Sequence, residues 1–364
     1  MQSPIFRDGP RPSRWLLRRP TFKASYSAAT AVRKSVRPMS KKALIFGISG
    51  QDGSLLAAYL LKRGYAIHGT SRDKELGIFA NLQRLGILDR VTLHSVDPAD
   101  FGSVLHVISE TTPDEIYNLA SQSSVGLSFD QPIQTLESTI FSAHNIVDSV
   151  HRLKLSSRVY NACSSECFGN TELPANESTP FGPRSPYGVG KAAAFWTVAN
   201  YRDAHGLFAC SGLLFNHDSP LRPQRFVTRK IVSGAADIAE RKTDKLRIGN
   251  LNISRDFGWA PEYVEAMALM LQADAPEDFV IATGQTNTLE SFVREAFSYF
   301  GLDWQKHIDF DESLLRPIDL KCNSANPAKA RRILGWEAKV FMKDVVRLLA
   351  DGELEYRRVA GARS

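Results

Sequence analysis

The 364-residue sequence has no uninterrupted run of about 18 apolar residues, so nothing in it reads as a membrane span. It also lacks the apolar core of a secretory signal, internal repeats, and any low-complexity tract beyond its amino-terminal stretch. Cysteine is scarce: Cys163, Cys167, Cys210 and Cys322 form no paired CxxC motifs. That pattern excludes a disulfide framework and a zinc-ribbon site, and no metal is expected. The thiols read as reduced, in a reducing compartment, with Cys163 and Cys167 able to approach one another. Positive charge is also missing from most of the chain. The net charge is +6, yet residues 1–40 hold nine of the 45 Lys and Arg and only one of the 39 acidic residues, Asp8. The remainder is slightly acidic, which argues against a nucleic-acid-binding surface.

What is present can bury a large core, since 43% of the residues are hydrophobic. Residues 1–40 are rich in Arg, Ser and Pro without periodicity. Their composition is that of an organelle-targeting segment, and an upstream start before Met39 explains it equally simply. The reading favoured is a disordered, dispensable extension on a cytoplasmic protein. The rest divides into a dinucleotide-binding domain over 41–215, a smaller mixed α/β lobe for substrate over 216–350, and a tail over 351–364.

The fold class expected is α/β, a Rossmann-type doubly wound parallel sheet. Lys42–Phe46 is a short apolar strand, followed by Gly47, Ile48, Ser49, Gly50, Gln51, Asp52 and Gly53 and then an apolar helix over Leu55–Lys62. Strand, glycine turn and helix is the context of a dinucleotide fingerprint, in which helix N-terminal amides receive a pyrophosphate. Further strands are expected at 65–70, 91–96, 115–119, 158–162 and 209–215, with a long helix over 132–153. After the second strand, Arg72 or Lys74 suits a 2′-phosphate whereas Asp73 suits a free 2′-hydroxyl, leaving NADP and NAD both open. Asp97, ending the third strand, is placed either to accept from the adenine amino group or to hold a turn. Small residues follow the fourth strand at Leu119, Ala120, Ser121, Gln122 and Ser123, where a nicotinamide ribose would pass.

The fifth strand delivers Ser164 and Glu166 to the carboxyl edge of the sheet, where ligands bind in such folds. Ser185-Pro-Tyr-Gly-Val-Gly-Lys191 then opens a helix that puts Tyr187 and Lys191 one turn apart. A neighbouring ammonium favours the phenolate, so Tyr187 is expected to titrate nearer neutrality and to take a proton from a substrate hydroxyl. On spacing alone this pair is an ordinary helix-surface pair, and its company decides the matter. Glu166 supplies a second acid–base group that a plain dehydrogenase or epimerase does not need and a dehydratase does. Arg225, Arg229, Lys230, Arg247, Arg255 and Arg316 form a basic set suited to a nucleotide diphosphate.

Taken together these segments resemble the GDP-mannose 4,6-dehydratase family of extended short-chain dehydrogenase/reductases, from about Lys41 to Leu349. The residues that carry the resemblance are the glycine loop with its Gln51-Asp52, Thr179–Tyr187, Leu214–Pro220, Val227–Lys230, Arg255–Met267, Ile281–Gly284 and Asn326–Ala330. The resemblance implies that GDP-mannose binds across both lobes. Tyr187, helped by Lys191, would take the C4 hydroxyl proton as hydride leaves C4. Glu166 would remove the C5 proton and assist loss of water from C6. Hydride would return to C6, giving GDP-4-keto-6-deoxy-mannose. It also implies that Ser164 contacts the sugar, that His217 and Arg222 line the cofactor, and that Asn216, Arg229, Lys230, Arg255 and Arg316 hold substrate. NADP is the implied cofactor, with NAD possible, and a homodimer or homotetramer the implied assembly. Three departures stand out: Ser164 replaces the family's threonine, Asp73-Lys74 replaces its paired arginines, and the Lys74–Ala80 loop is altered. The alternatives are a dehydratase or epimerase for another nucleotide sugar, and a non-catalytic nucleotide- or RNA-binding relative.

Overall fold

The structure, a computed structural model, describes residues 40–361. The expected amino-terminal extension lies outside the described residues. The first half alternates strand and helix: β1 (Lys42–Phe46), α1 (Gln51–Leu61), β2 (Ala66–Ser71), α2 (Ala80–Arg84), β3 (Val91–Ser95), α3 (Phe101–Thr111), β4 (Glu115–Asn118), α4 (Val125–Asp130), α5 (Pro132–Arg152), β5 (Arg158–Ser164), α6 (Pro186–His205) and β6 (Ala209–Leu214). Short strands and helices follow: β7 (His217–Asp218), α7 (Val227–Ala239), β8 (Leu246–Ile248), β9 (Ser254–Asp256), β10 (Gly258–Trp259), α8 (Ala260–Met270), β11 (Phe279–Ile281), β12 (Thr286–Thr288), α9 (Leu289–Tyr299), α10 (Trp304–His307), β13 (Ile308–Phe310), α11 (Ala328–Leu334) and α12 (Met342–Gly361).

The central sheet has the order β11-β6-β5-β4-β1-β2-β3, with every pairing parallel. This is the doubly wound arrangement that the alternation of elements predicts. Strand alternation builds its two layers. On β1, Ala43 and Ile45 face a cluster with Leu56, Leu60, Val264 and Met267 of α1 and α8. Leu44 and Phe46 face Val104, Ile108, Ile146 and Val198 of α3, α5 and α6. Further along the chain, α7, α9 and α12 close a separate apolar cluster containing Ile231, Phe292, Phe297, Val346 and Leu349.

Several boundaries differ from expectation for local reasons. Helix α1 begins at Gln51 rather than Leu55, because Gly50 caps it and the loop's last residues form its first turn. The seventh strand, β11, is only three residues long and was not expected. Asn326 accepts the Ala328 N–H at 3.1 Å, but the helix it was expected to cap starts one residue later, after Pro327. Residues 351–361, expected as tail, continue α12. Among the described residues no helix is long and apolar enough to cross a membrane.

Helix α12 returns to the first half of the chain. Arg84 on α2 donates to the carbonyls of Pro220 at 3.0 Å and Gly352 at 3.2 Å. Gly352 packs so closely there that a Cβ would lie 2.3 Å from Cγ of Pro220. Gly352→Ala should therefore lower stability by about 1–3 kcal/mol through overpacking. Urea unfolding checks this, and a midpoint equal to the parent's would refute the contact.

Candidate active site

The carboxyl edge of the sheet opens into a cleft of about 530 Å³. Most of the site residues expected from the sequence line it: Gly47, Gly50, Gln51, Asp52 and Gly53; Leu119, Ser121 and Ser123; Ser164, Glu166, Tyr187 and Lys191. Asn216, His217, Arg222, Lys230, Arg255 and Arg316 line it from the second half of the chain.

The glycine loop is shaped as a cradle. Gly47 has φ +82°, and its Cβ would sit 2.9 Å from the Leu119 carbonyl carbon. A Cβ on Gly53 would lie 2.3 Å from the Gly47 carbonyl oxygen. Only glycine permits this approach, and no side chain caps the first amides of α1. The cradle and its uncapped amides fit a dinucleotide pyrophosphate. Ile48 does not reach the cleft: it is buried in the core. Ser49 is exposed, and its carbonyl accepts from Asn81 at 3.1 Å. Gln122 braces the turn before α4 by donating to the Ser124 carbonyl and ties it to α5 by donating to Thr135, while the Ala120 carbonyl accepts from Ser142.

Gln51 and Asp52 fasten this loop to the segment after β6. Asp52 Oδ2 lies 3.0 Å from His217 Nε2, and His217 Nδ1 lies 2.7 Å from the Phe215 carbonyl. Ser219 donates to Gln51 Oε1 at 2.9 Å. The His217 ring stacks on Tyr263 with centroids 4.4 Å apart. Both ring nitrogens face acceptors, so the doubly protonated ring satisfies both. Burial pushes the His217 pKa down, but Asp52 and the Phe215 carbonyl outweigh it and leave it above the ordinary value. Burial likewise pushes Asp52 up, and His217, Gln51 and Arg222 outweigh that and hold its carboxyl below the usual range. Arg222 donates to the His217 carbonyl at 2.5 Å and pairs with Asp218 at 3.2 Å.

Ser164 ends β5, and its Oγ accepts the Glu166 N–H at 3.2 Å at the start of the 3-10 turn Ser165–Cys167. Ser185 caps α6 by accepting the Gly188 N–H at 3.0 Å, which fixes the first turn carrying Tyr187 and Lys191. Lys191 Nζ donates to the Ala162 carbonyl at 2.7 Å and lies 5.8 Å from the Tyr187 ring centroid. The expected lowering of the Tyr187 pKa is not found. Burial pushes the phenol well up, and the nearby Ser164 hydroxyl only partly opposes it. Burial also pushes Lys191 down. For Glu166, burial raises the pKa against Arg255 and Arg316, and Asp319 adds to the rise. A carboxyl group in this state can hold a proton and give it up, as acid–base work requires. Cys163 and Cys167 flank these groups as buried free thiols with sulfurs 3.4 Å apart.

Three further expected residues, Arg229, Arg72 and Asp97, lie outside the cleft lining. Arg229 is 4% exposed and its Nη2 is spent on Glu353 at 2.7 Å, so it serves α7–α12 packing and not the cleft. Arg72 is exposed at the end of β2, and Asp97 accepts the Ala99 N–H at 3.0 Å in a turn; neither lines the cleft. Of the remaining basic set, Arg225 lines the cleft, whereas Arg247 pairs with Asp311 at 2.6 Å. The sequence reading missed Asp319, which lines the cleft three residues after Arg316; that spacing was its only signal.

Comparison with known proteins bears on the family and the fold. The family model described as GDP-mannose 4,6 dehydratase matches residues 44–349. The chain is 41% identical over 344 residues to GDP-mannose 4,6 dehydratase 2 of Arabidopsis thaliana, covering 91% of each chain. It is 39% identical to GDP-mannose 4,6-dehydratase of Sinorhizobium fredii, covering 87% of this chain and 98% of that one. Among solved structures, UDP-glucose 4-epimerase of Thermotoga maritima superposes with a TM-score of 0.77 at 20% identity, over 88% of this chain and 99% of the other. RMD of Pseudomonas aeruginosa, complexed with NADPH, superposes with a TM-score of 0.72 at 20% identity, over 87% and 100%. These structural likenesses concern the fold.

Two outcomes follow from the site's geometry. Arg229→Met should lower stability by about 1–3 kcal/mol, because it removes one of the two arginines paired with the buried Glu353 and leaves Arg357 as the other, while leaving GDP affinity unchanged in calorimetry. A selective loss of GDP binding would return Arg229 to the ligand site. The His217 contribution to stability is fully present below about pH 6.5 and is lost as pH rises through its raised folded value. The Asp52 contribution is fully present above about pH 3.8 and is lost as pH falls through its lowered value. The stability difference between the parent and Asp52→Asn should therefore be largest between about pH 4 and 6.5. A pH-independent difference would contradict the pairing.

Proposed function

The chain belongs to the GDP-mannose 4,6-dehydratase family, and we propose that it is a lyase removing water from GDP-mannose to give GDP-4-keto-6-deoxy-mannose. The observation that carries this reading is one cleft holding Ser164, Glu166, Tyr187 and Lys191 together with the glycine cradle and a basic wall. Residues 41–215 would bind the cofactor and residues 216–350 mainly the nucleotide sugar.

A nicotinamide dinucleotide, when bound, supplies a reversible store for hydride. Gly47, Gly50 and Gly53 would hold its pyrophosphate, with Leu119, Ser121 and Ser123 nearby and the Gln51–Asp52 clasp keeping the cradle in place. NADP is the form we favour. Asp73 Oδ1 accepts the N–H groups of Glu75 at 2.8 Å and Leu76 at 3.0 Å, which occupies that oxygen, and Arg72 stands exposed beside it.

Ser164 would hold the C4 oxygen of the hexose. Tyr187 would take the proton from that hydroxyl when C4 is oxidised and return it at the end. Its high proton affinity in the buried site means that deprotonation needs a cation, and Lys191, anchored on Ala162, lies one helical turn away. The 4-ketone acidifies C5–H. Glu166 would take that proton and deliver one to the C6 hydroxyl as it leaves as water. Lys230, Arg255 and Arg316 would face the diphosphate, with Asn216 beside them.

The test is turnover of GDP-mannose by purified protein with NADP or NAD in separate runs, followed by mass spectrometry. Loss of 18 mass units is expected, faster with NADP, and reduced about 10²–10⁴-fold in Glu166→Gln. Water loss only from another nucleotide hexose would keep the mechanism and replace the substrate. Nucleotide binding without turnover of any would favour a non-catalytic role.

A further inference from the structure

Arg255 and Arg316 reach the cleft from different elements, and one carboxylate holds both. Arg255 on β9 is 4% exposed; its Nη2 lies 2.9 Å from Asp319 Oδ1. Its Nη1 donates to the carbonyls of Leu320 at 2.8 Å and Ser254 at 3.0 Å. Arg316 Nη1 lies 3.4 Å from the same Asp319 oxygen.

The segment carrying Asp319 is pinned on two sides. Toward β9, the Ser254 N–H donates to the Lys321 carbonyl at 2.8 Å, and the Asn323 N–H donates to the Ser254 carbonyl at 3.0 Å. Toward the 3-10 turn, the Asn323 side chain donates to the carbonyl of Ser165, the residue before Glu166, at 3.4 Å. Just beyond that turn, Asn170 accepts the Lys321 N–H at 3.0 Å. Residues 319–323 thus join the strand of Arg255 to the turn of Glu166.

Two guanidinium groups sharing a cleft with a half-buried carboxyl favour its carboxylate form unless their charge is offset. We propose that Asp319 is a positioning residue that holds Arg255 and Arg316 beside Glu166 and offsets part of their charge, so that Glu166 can carry a proton as well as release it. The inference rests on the acid–base role given to Glu166 above. The groups that act on Glu166 are Arg255 from β9, Arg316 and Asp319 from the segment before α11, and Tyr187 from α6. The Asp319 charge also weakens the pull of both arginines on a nucleotide's phosphates.

Asp319→Asn keeps the shape and removes the charge; Asp319→Glu keeps the charge. The measurements are kcat against pH with GDP-mannose, and GDP binding by calorimetry. In Asp319→Asn the acid limb of kcat should move to lower pH and GDP should bind about threefold more tightly. Asp319→Glu should return both toward the parent. An unmoved acid limb in a folded Asp319→Asn protein would overturn the inference. Should that variant fail to fold, Arg316→Met decides: its acid limb should move to higher pH, and an unmoved limb counts against the proposal. A parent that binds GDP but dehydrates nothing would instead dispose of the functional reading. GDP affinity in Asp319→Asn would then still decide the charge offset, and no tightening would refute it.

Discussion

A carboxylate and an imidazole, Asp52 and His217, make the contact on which the cleft depends. One belongs to the first turn after the first strand; the other lies just past the sixth. The sheet alone sets the height at which these loops emerge, not their spacing across the edge. The contact sets that spacing, and Gln51 with Ser219 repeats it alongside. From His217 the constraint passes to Arg222 and Asp218, and from Asp218 to Thr228 at the start of α7 at 2.7 Å. Arg84 and Gly352 hold the far end of the same segment at Pro220. The glycine cradle and the basic wall are thereby parts of one braced unit.

The electrostatics of the site follow from depth more than from sequence neighbours. Tyr187 and Lys191 are 8% and 6% exposed, and burial resists charge on both in opposite directions on the pH scale. The ammonium is directed at a backbone carbonyl of β5 and not at the phenol oxygen. Spacing on a helix therefore gave the correct neighbours and the wrong titration. Glu166 is different, because charged groups from other elements compete with its burial.

Legibility in the sequence tracked locality. The parallel sheet was readable because its strands are short apolar runs set off by glycine turns and helical stretches. Glu166, Tyr187 and Lys191 were readable because each sits within a few residues of a strand end or helix cap. Strand β11 was not, since three apolar residues without alternation carry no period. Arg229 was misplaced because its partner, Glu353, is more than a hundred positions away. Asp319 escaped notice for the same reason: its meaning lies in Arg255, a residue of another strand.

The return of α12 to α7, α9 and α2 bears on the order in which the molecule can assemble. The doubly wound sheet up to β6 can pair its strands as they emerge from the ribosome, because their partners are already made. The apolar faces of α7 and α9 have no such cover until residues 342–361 have followed them. During that interval Phe292, Phe297 and their neighbours stay accessible to other chains, the condition under which partly made proteins associate wrongly or engage chaperones.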